Sequence, residues 1–262
     1  MSLLAATALR IGAKAALCPS AAVNGAPGAA FPTMAGRHVY DSRSIPIDAV
    51  KRAKAPVPTL SIYTEMVRGA PRGPAQAVPP AEFTVDLVVE GEISVYVPQA
   101  GSEGDYLGWA ASDAAGEAQL DFLMATARQA IVDAVGRGVL RGIVKRIVSF
   151  EAMPVRDFVS GARVNRRTLR ITCEVGDDRW NPAGGLPEPL ATLRANLDDA
   201  AYAVPQLDMI ADAIGPRPAP VPLEEIRMTL AGIDGGPPVA PEAPDIAVSA
   251  AFGDGNGGDD EE

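Results

Sequence analysis

The chain has 262 residues, 33 acidic against 23 basic, and is 47% hydrophobic but only 5% aromatic, so its core must be built largely from small side chains. Eight acidic residues and no basic ones fall in 232–262; residues 1–231 therefore carry a net −2 (25 acidic, 23 basic), and the acidity belongs to the C-terminal end. No apolar run reaches the ~18–20 residues of a spanning helix, so no membrane anchor is expected.

The two cysteines, Cys18 and Cys173, are far apart and lack the paired Cys or His neighbours of a zinc site. Buried thiols are the expectation for them, with a bridge between them the other possibility. Residues 1–17 are apolar and Ala-rich, but Arg10 and Lys14 interrupt the run where a secretory signal would be uniformly apolar. An amphipathic helix over 2–17 is predicted instead, with Leu4, Ala8, Ile11 and Ala15 along one side.

Pro19 ends that helix, and 19–36 reads as a Pro/Gly/Ala loop. Val39 and Tyr40 predict a short strand, 41–44 a turn, and 45–58, with three prolines and four charged residues, an extended crossing segment. A strand over 59–64 and a Pro-rich loop over 69–80 follow. Phe83, Val85, Leu87 and Val89 alternate with Thr84, Asp86, Val88 and Glu90, which predicts a long half-buried strand. After a Gly-bearing loop over 98–111, Ser112 and Asp113 are placed to cap a helix running to about Val135. Its apolar positions are Leu120, Leu123, Met124, Ala127, Ile131 and Val135, with Gly136 and Gly138 ending it.

Residues 143–150 and 167–175 predict strands, and 151–166 an extended hairpin connection. Consecutive alternating strands after a helix favour antiparallel pairing. The fold class expected is α+β: a mostly antiparallel sheet packed by one or two helices, with Pro-rich extended arms and a C-terminal extension. Beyond it come helices over 189–203 and 206–214, then alternate prolines from Pro216 to Pro222 and a helix or strand over 223–233. Residues 234–262, rich in Gly, Pro and Asp, cannot bury enough to fold alone. The expected division is a domain over 1–200, a helical and Pro-rich extension over 201–233, and an acidic tail over 234–262, flexible unless bound.

Chemistry is sparse. The one histidine, His38, precedes a strand and reads as an ordinary edge residue. Phosphate-cradle, dinucleotide and H-E-x-x-H motifs are absent, and no Ser or Cys sits in an activated setting. Asp177-Asp178 and Asp198-Asp199 (the latter within the predicted 189–203 helix) are carboxylate pairs, but hydrolytic metal sites need several converging ligands. They read as solvated residues. No enzyme activity and no cofactor or metal is expected.

One charge cluster stands out. Residues 137–170 hold nine basic residues and two acidic ones, Glu151 and Asp157. Either this is a solvated sheet face paired with the chain's own carboxylates, or it faces an acidic partner or nucleic acid. Without interleaved aromatics, base-stacking recognition is not expected. Eight of the nine are Arg, which suits bidentate pairs at a protein interface.

The order of elements resembles the tail terminator (tail completion) proteins of long-tailed bacteriophages and related tail-like particles. The resemblance rests on an N-terminal Leu9-Arg10-Ile11 helix, on Val39-Tyr40-Asp41-Ser42-Arg43 and on Leu60-Ser61-Ile62-Tyr63-Thr64-Glu65. It continues through the strand over 83–90, Glu117-Ala118-Gln119-Leu120-Asp121, and Leu169-Arg170-Ile171-Thr172-Cys173-Glu174-Val175, covering roughly 2–200. Each string is short; their order and spacing carry the likeness. It implies a non-catalytic virion protein that closes into a homo-hexameric ring, ends tail tube polymerisation and forms the joint to the head and neck. Implied partners are the tail tube protein, a neck or head-completion protein, the tail sheath, and genomic DNA passing through the lumen without sequence-specific binding. The chain departs from that pattern in its extra C-terminal region. A head–neck connector or stopper of the same particle is the alternative, and a soluble nucleic-acid-binding or regulatory protein a further one.

A ring requires two unlike surfaces on each subunit. The basic set Arg141, Lys145, Arg146, Arg163, Arg166, Arg167 and Arg170 is the expected first, and Asp86, Glu90, Glu92, Glu117 and Asp121 the expected second.

Overall fold

The computed structural model describes residues 3–42, 57–71, 81–94, 96–97, 106–107, 114–159 and 162–216. Among them, α1 (Leu3–Leu17), α2 (Ser20–Val23), β1 (Val39–Asp41), β2 (Val57–Pro71) and β3 (Ala81–Ser94) come first. Then follow β4 (Tyr96–Val97), β5 (Tyr106–Leu107), α3 (Ala114–Arg137), β6 (Val144–Val159), β7 (Ala162–Val175), α4 (Leu190–Asn196) and α5 (Val204–Ala213). All lie in one compact unit, Met1–Pro218, so the expected boundary at 200 falls inside it.

The chain is α+β. Its main sheet has the order β1-β2-β3-β7-β6. β1 pairs with β2 in parallel, and the other neighbours pair antiparallel. β4 and β5 form a separate two-stranded ribbon.

Alternation decides which face is buried. In β3, Phe83, Val85, Leu87, Val89 and Ile93 point to one side, and register sets Val85 beside Cys173, Leu87 beside Ile171 and Val89 beside Leu169. α1 and α3 cover that face. Each fully buried Leu or Ile there contributes roughly 1.5–3 kcal/mol. In α3, Leu120, Leu123, Met124, Ala127, Ile131 and Ala134 are buried, as the helical spacing predicts, with Val135 half-buried beside them. In α1 the stripe is rotated from the prediction and centres on Ala5, Ala8, Leu9 and Gly12. Ala dominates every side of that helix, so its sequence pattern is a weak guide.

Two glycines permit the close approach. A Cβ at Gly12 would stand 2.4 Å from Leu140 Cδ2, and one at Gly91 2.4 Å from Met124 Sδ. α3 thus lies directly on β3, and α1 on the turn after α3.

Several expectations need correction. Residues 151–166 are paired strand: register runs unbroken from Glu151↔Arg170 to Val159↔Ala162. Charged residues there erase the apolar alternation while backbone pairing continues. The predicted 59–64 strand extends to Val57–Pro71. The helix predicted over 189–203 stops at Asn196, and Asp198 turns the chain, its carbonyl accepting the Ala201 N–H at 2.8 Å. The predicted loop over 19–36 contains α2. Ser112, Asp113, the Pro-rich arms within 43–56, 72–80 and 98–105, and everything from 217 onward lie outside the described residues.

Candidate functional site

The face of the sheet away from α1 and α3 carries the charged residues singled out above. Along β3 these are Asp86, Glu90 and Glu92, facing Thr172, Thr168 and Arg166 of β7 in register. Asp86 is 3% exposed, and a polar group so buried needs hydrogen-bond partners. Thr172 Oγ1 donates to it at 2.8 Å, and Arg68 Nη2 lies 3.2 Å from its other oxygen. Glu174, 6% exposed, accepts from Arg146 Nε at 2.6 Å and stands 3.9 Å from Lys145 Nζ.

The other cations are engaged in the same way. Arg166 donates to Glu92 at 3.3 Å and lies 3.9 Å from Glu90. Arg170 bridges Glu65 at 2.9 Å and Glu151 at 3.6 Å, and its hydrogen bond to Glu65 raises its pKa further. Arg167 has turned to the helix-covered side, where its Nε donates to Asp121 of α3 at 3.0 Å. Arg141 is exposed in the turn before β6, where its carbonyl accepts from Asn196 at 2.9 Å. Glu117 is half-exposed in the first turn of α3. Arg163 lies in β7, with its side chain outside the described residues. The two expected surfaces are therefore largely interleaved on one subunit. The sequence separates these residues by up to 105 positions, and only register shows that they neighbour one another.

Two concavities were not legible beforehand. A groove of about 580 Å³ lies between the end of α1, β1 and the segment joining α4 to α5. Lys14 Nζ sits 3.6 Å over the Tyr202 ring there, and Tyr202 donates to Asp41 at 2.6 Å. Arg10 also pairs with Asp41. Burial, then the bond to Asp41, drives the Tyr202 pKa well above its ordinary value. The second, a cleft of about 320 Å³, lies between α3 and the β6–β7 hairpin and includes Met124, Arg128, Met153 and Arg167. Phe150 of β6 lies beside it under Arg128, and β6 and α3 also expose Val148 and Phe122, the last 61% exposed.

The remaining candidates are placed as follows. Cys18 and Cys173 are both free thiols, half-exposed and buried respectively. Burial first, and Asp86 second, push the Cys173 thiol up to about 12. Burial also raises Cys18, against the opposing charges of Lys14 and Arg37. His38 Nδ1 lies 3.4 Å from the Tyr40 hydroxyl. Asp178 is no solvated turn residue: its two oxygens accept the N–H groups of Leu4 and Ala5, each at 3.2 Å, and so close the N-terminus of α1. Asp198 and Asp199 lie beyond α4 rather than in a helix; Asp198 accepts from Ser20 at 2.8 Å and Asp199 pairs with Arg194 at 3.1 Å.

Among the described residues, no group of three or more His, Cys, Asp and Glu side chains is placed to hold a metal ion. Among them too, no helix is long and apolar enough to cross a membrane. No family model matches the chain, and comparison with curated proteins finds no relative.

Proposed function

We propose that this chain is a structural virion protein, the subunit of a homo-hexameric ring at the head-proximal end of a phage tail. There it ends tail tube polymerisation and forms the joint to the neck. The observation that carries this reading is the distribution of exposed apolar surface. One apolar group, Val148, Phe150 and Met153, is exposed along β6, the edge strand of the sheet. Another, Met209 and Ile210, follows the segment tied to β1 at the opposite edge. Unlike patches on opposite sides of a subunit are what a closed head-to-tail ring covers.

Most of the Arg-rich stretch is neutralised within the subunit, which weakens the duplex-binding alternative and is compatible with DNA passing through a lumen unread. The test is the mass of the purified chain, by light scattering or native mass spectrometry, with and without tail tube protein. A hexamer, or a monomer that becomes one on the tube, is expected. A persistent monomer that ignores tube protein would refute the reading.

A further inference from the structure

The α3–β6 cleft is built to receive a side chain rather than a strand. Pro154, on its β6 side, has no N–H to offer an added strand. Register shifts between Val144 and Arg146 and between Ile147 and Ser149 break the rest of the edge. Met124, Ala152 and Leu169 give the cleft apolar walls, and Arg128 and Arg167 give it positive charge. Arg167 is held by Asp121. Arg128 instead lies 4.7 Å over the exposed Phe150 ring, with no carboxylate in ion-pair range among the described residues.

The complementary surface is α5. It buries Val204 and Leu207 and turns Pro205, Met209 and Ala213 outward, with Met209 65% exposed. Asp208 and Asp212 flank that face on one side, at helical spacing. Asp208 is taken by Arg194; Asp212 is exposed and has no ion pair among the described residues. Tyr202, just before α5, is bound to Asp41 of β1, while the cleft lies on β6. These strands are the two edges of the sheet, so an apolar-acidic surface and an apolar-basic one sit on opposite sides of the same subunit.

We infer that the exposed face of α5 from a second copy seats in the α3–β6 cleft, with Met209 entering beside Met124 and Ala152 and Asp212 pairing with Arg128. This rests on the ring reading and names the contact that would propagate it. Each subunit gives one α5 and one cleft, an arrangement that closes by rotation.

The test is native mass spectrometry of the full chain, under the conditions in which the wild type assembles, on Met209→Asp, Arg128→Glu and Asp212→Arg. All three positions are exposed, so folding should survive, as circular dichroism will check. Each substitution should weaken association at least roughly tenfold, and Arg128→Glu combined with Asp212→Arg should restore the ring. Rings that persist in both Met209→Asp and Arg128→Glu overturn this inference and leave the ring reading standing. A double variant that stays dissociated overturns the Arg128–Asp212 pairing. A wild type that never assembles, even with tube protein, removes both readings.

Discussion

Asp178 offers the sharpest test of how the fold is tied together. Its carboxylate closes the first turn of a helix 174 positions earlier in the chain, accepting two N–H groups that no intrahelical carbonyl can reach. The negative charge also sits at the positive end of the helix dipole. Asp178→Ala removes both acceptors and the charge. Loss of a capping side chain costs ~1 kcal/mol, up to ~2, and the dipole interaction adds ~0.3–1. Because Asp178 is only half-buried, water re-solvates part of what is lost, and about 1.5–2.5 kcal/mol remains. In a folded unit of this size 1 kcal/mol shifts Tm by ~2–4 °C. Calorimetry should therefore show a drop of roughly 3–10 °C. Asp178→Asn, which keeps one acceptor oxygen, should fall between the variant and the wild type. Hydrogen exchange should quicken first at the amides of Leu4 and Ala5. A Tm within 1 °C (about the resolution of the assay) of wild type for Asp178→Ala would refute the assignment of this carboxylate as the cap.

Gly12→Ala forces a Cβ to 2.4 Å from Leu140 Cδ2, so the ~1 kcal/mol gained in helix propensity should be outweighed by an overpacking cost of ~1–3 kcal/mol; urea denaturation should show no stabilisation, and a more stable variant would contradict the close approach of α1. A disulfide exchange reagent should modify one thiol, Cys18, in the native protein and both after unfolding, since Cys173 is buried; two fast native thiols would contradict this. Burial raises the Cys173 pKa from 9.0 to about 12, so in this range the unfolded chain loses a proton that the folded chain keeps. Wild-type stability should then fall as pH rises above 9, by up to ~1.4 kcal/mol per unit, and its advantage over Cys173→Ala should narrow; a constant gap between pH 8.5 and 10.5 would refute this.

Periodicity was legible where a residue's partners lie on its own element. Leu120, Leu123 and Ile131 of α3, and the alternating residues of β3 and β7, are arranged as the sequence alone indicates because burial imposes a fixed spacing. It failed where the alternation breaks while backbone pairing goes on: from Glu151 to Arg166 apolar and charged residues no longer alternate, yet the strands stay in register. It failed again for α1, where alanine on all sides blurs the buried stripe. The surfaces were harder still. Asp178 closing α1, Tyr202 reaching Asp41, and Arg128 lying on Phe150 depend on distant segments meeting, and no local pattern announces them.

The engaged arginines change what a mutation at the charged face would mean. Reversing Arg166 and Arg167 to Glu, the natural test of an electrostatic interface, would set new carboxylates beside Glu92, Glu90 and Asp121 and disturb the subunit before any contact between subunits. Exposed pairs of this kind are each worth only ~0–1 kcal/mol, so the ladder is a minor source of stability. Register is set by the apolar face instead: a one-residue slip of β3 against β7 would turn every apolar side chain to the wrong face. In the native register Glu92 lies opposite Arg166, Glu90 opposite Thr168 and Asp86 opposite Thr172, so none of these β3 carboxylates meets another carboxylate across the ladder. With the register held, α3 and β6 keep the spacing that opens the cleft between them.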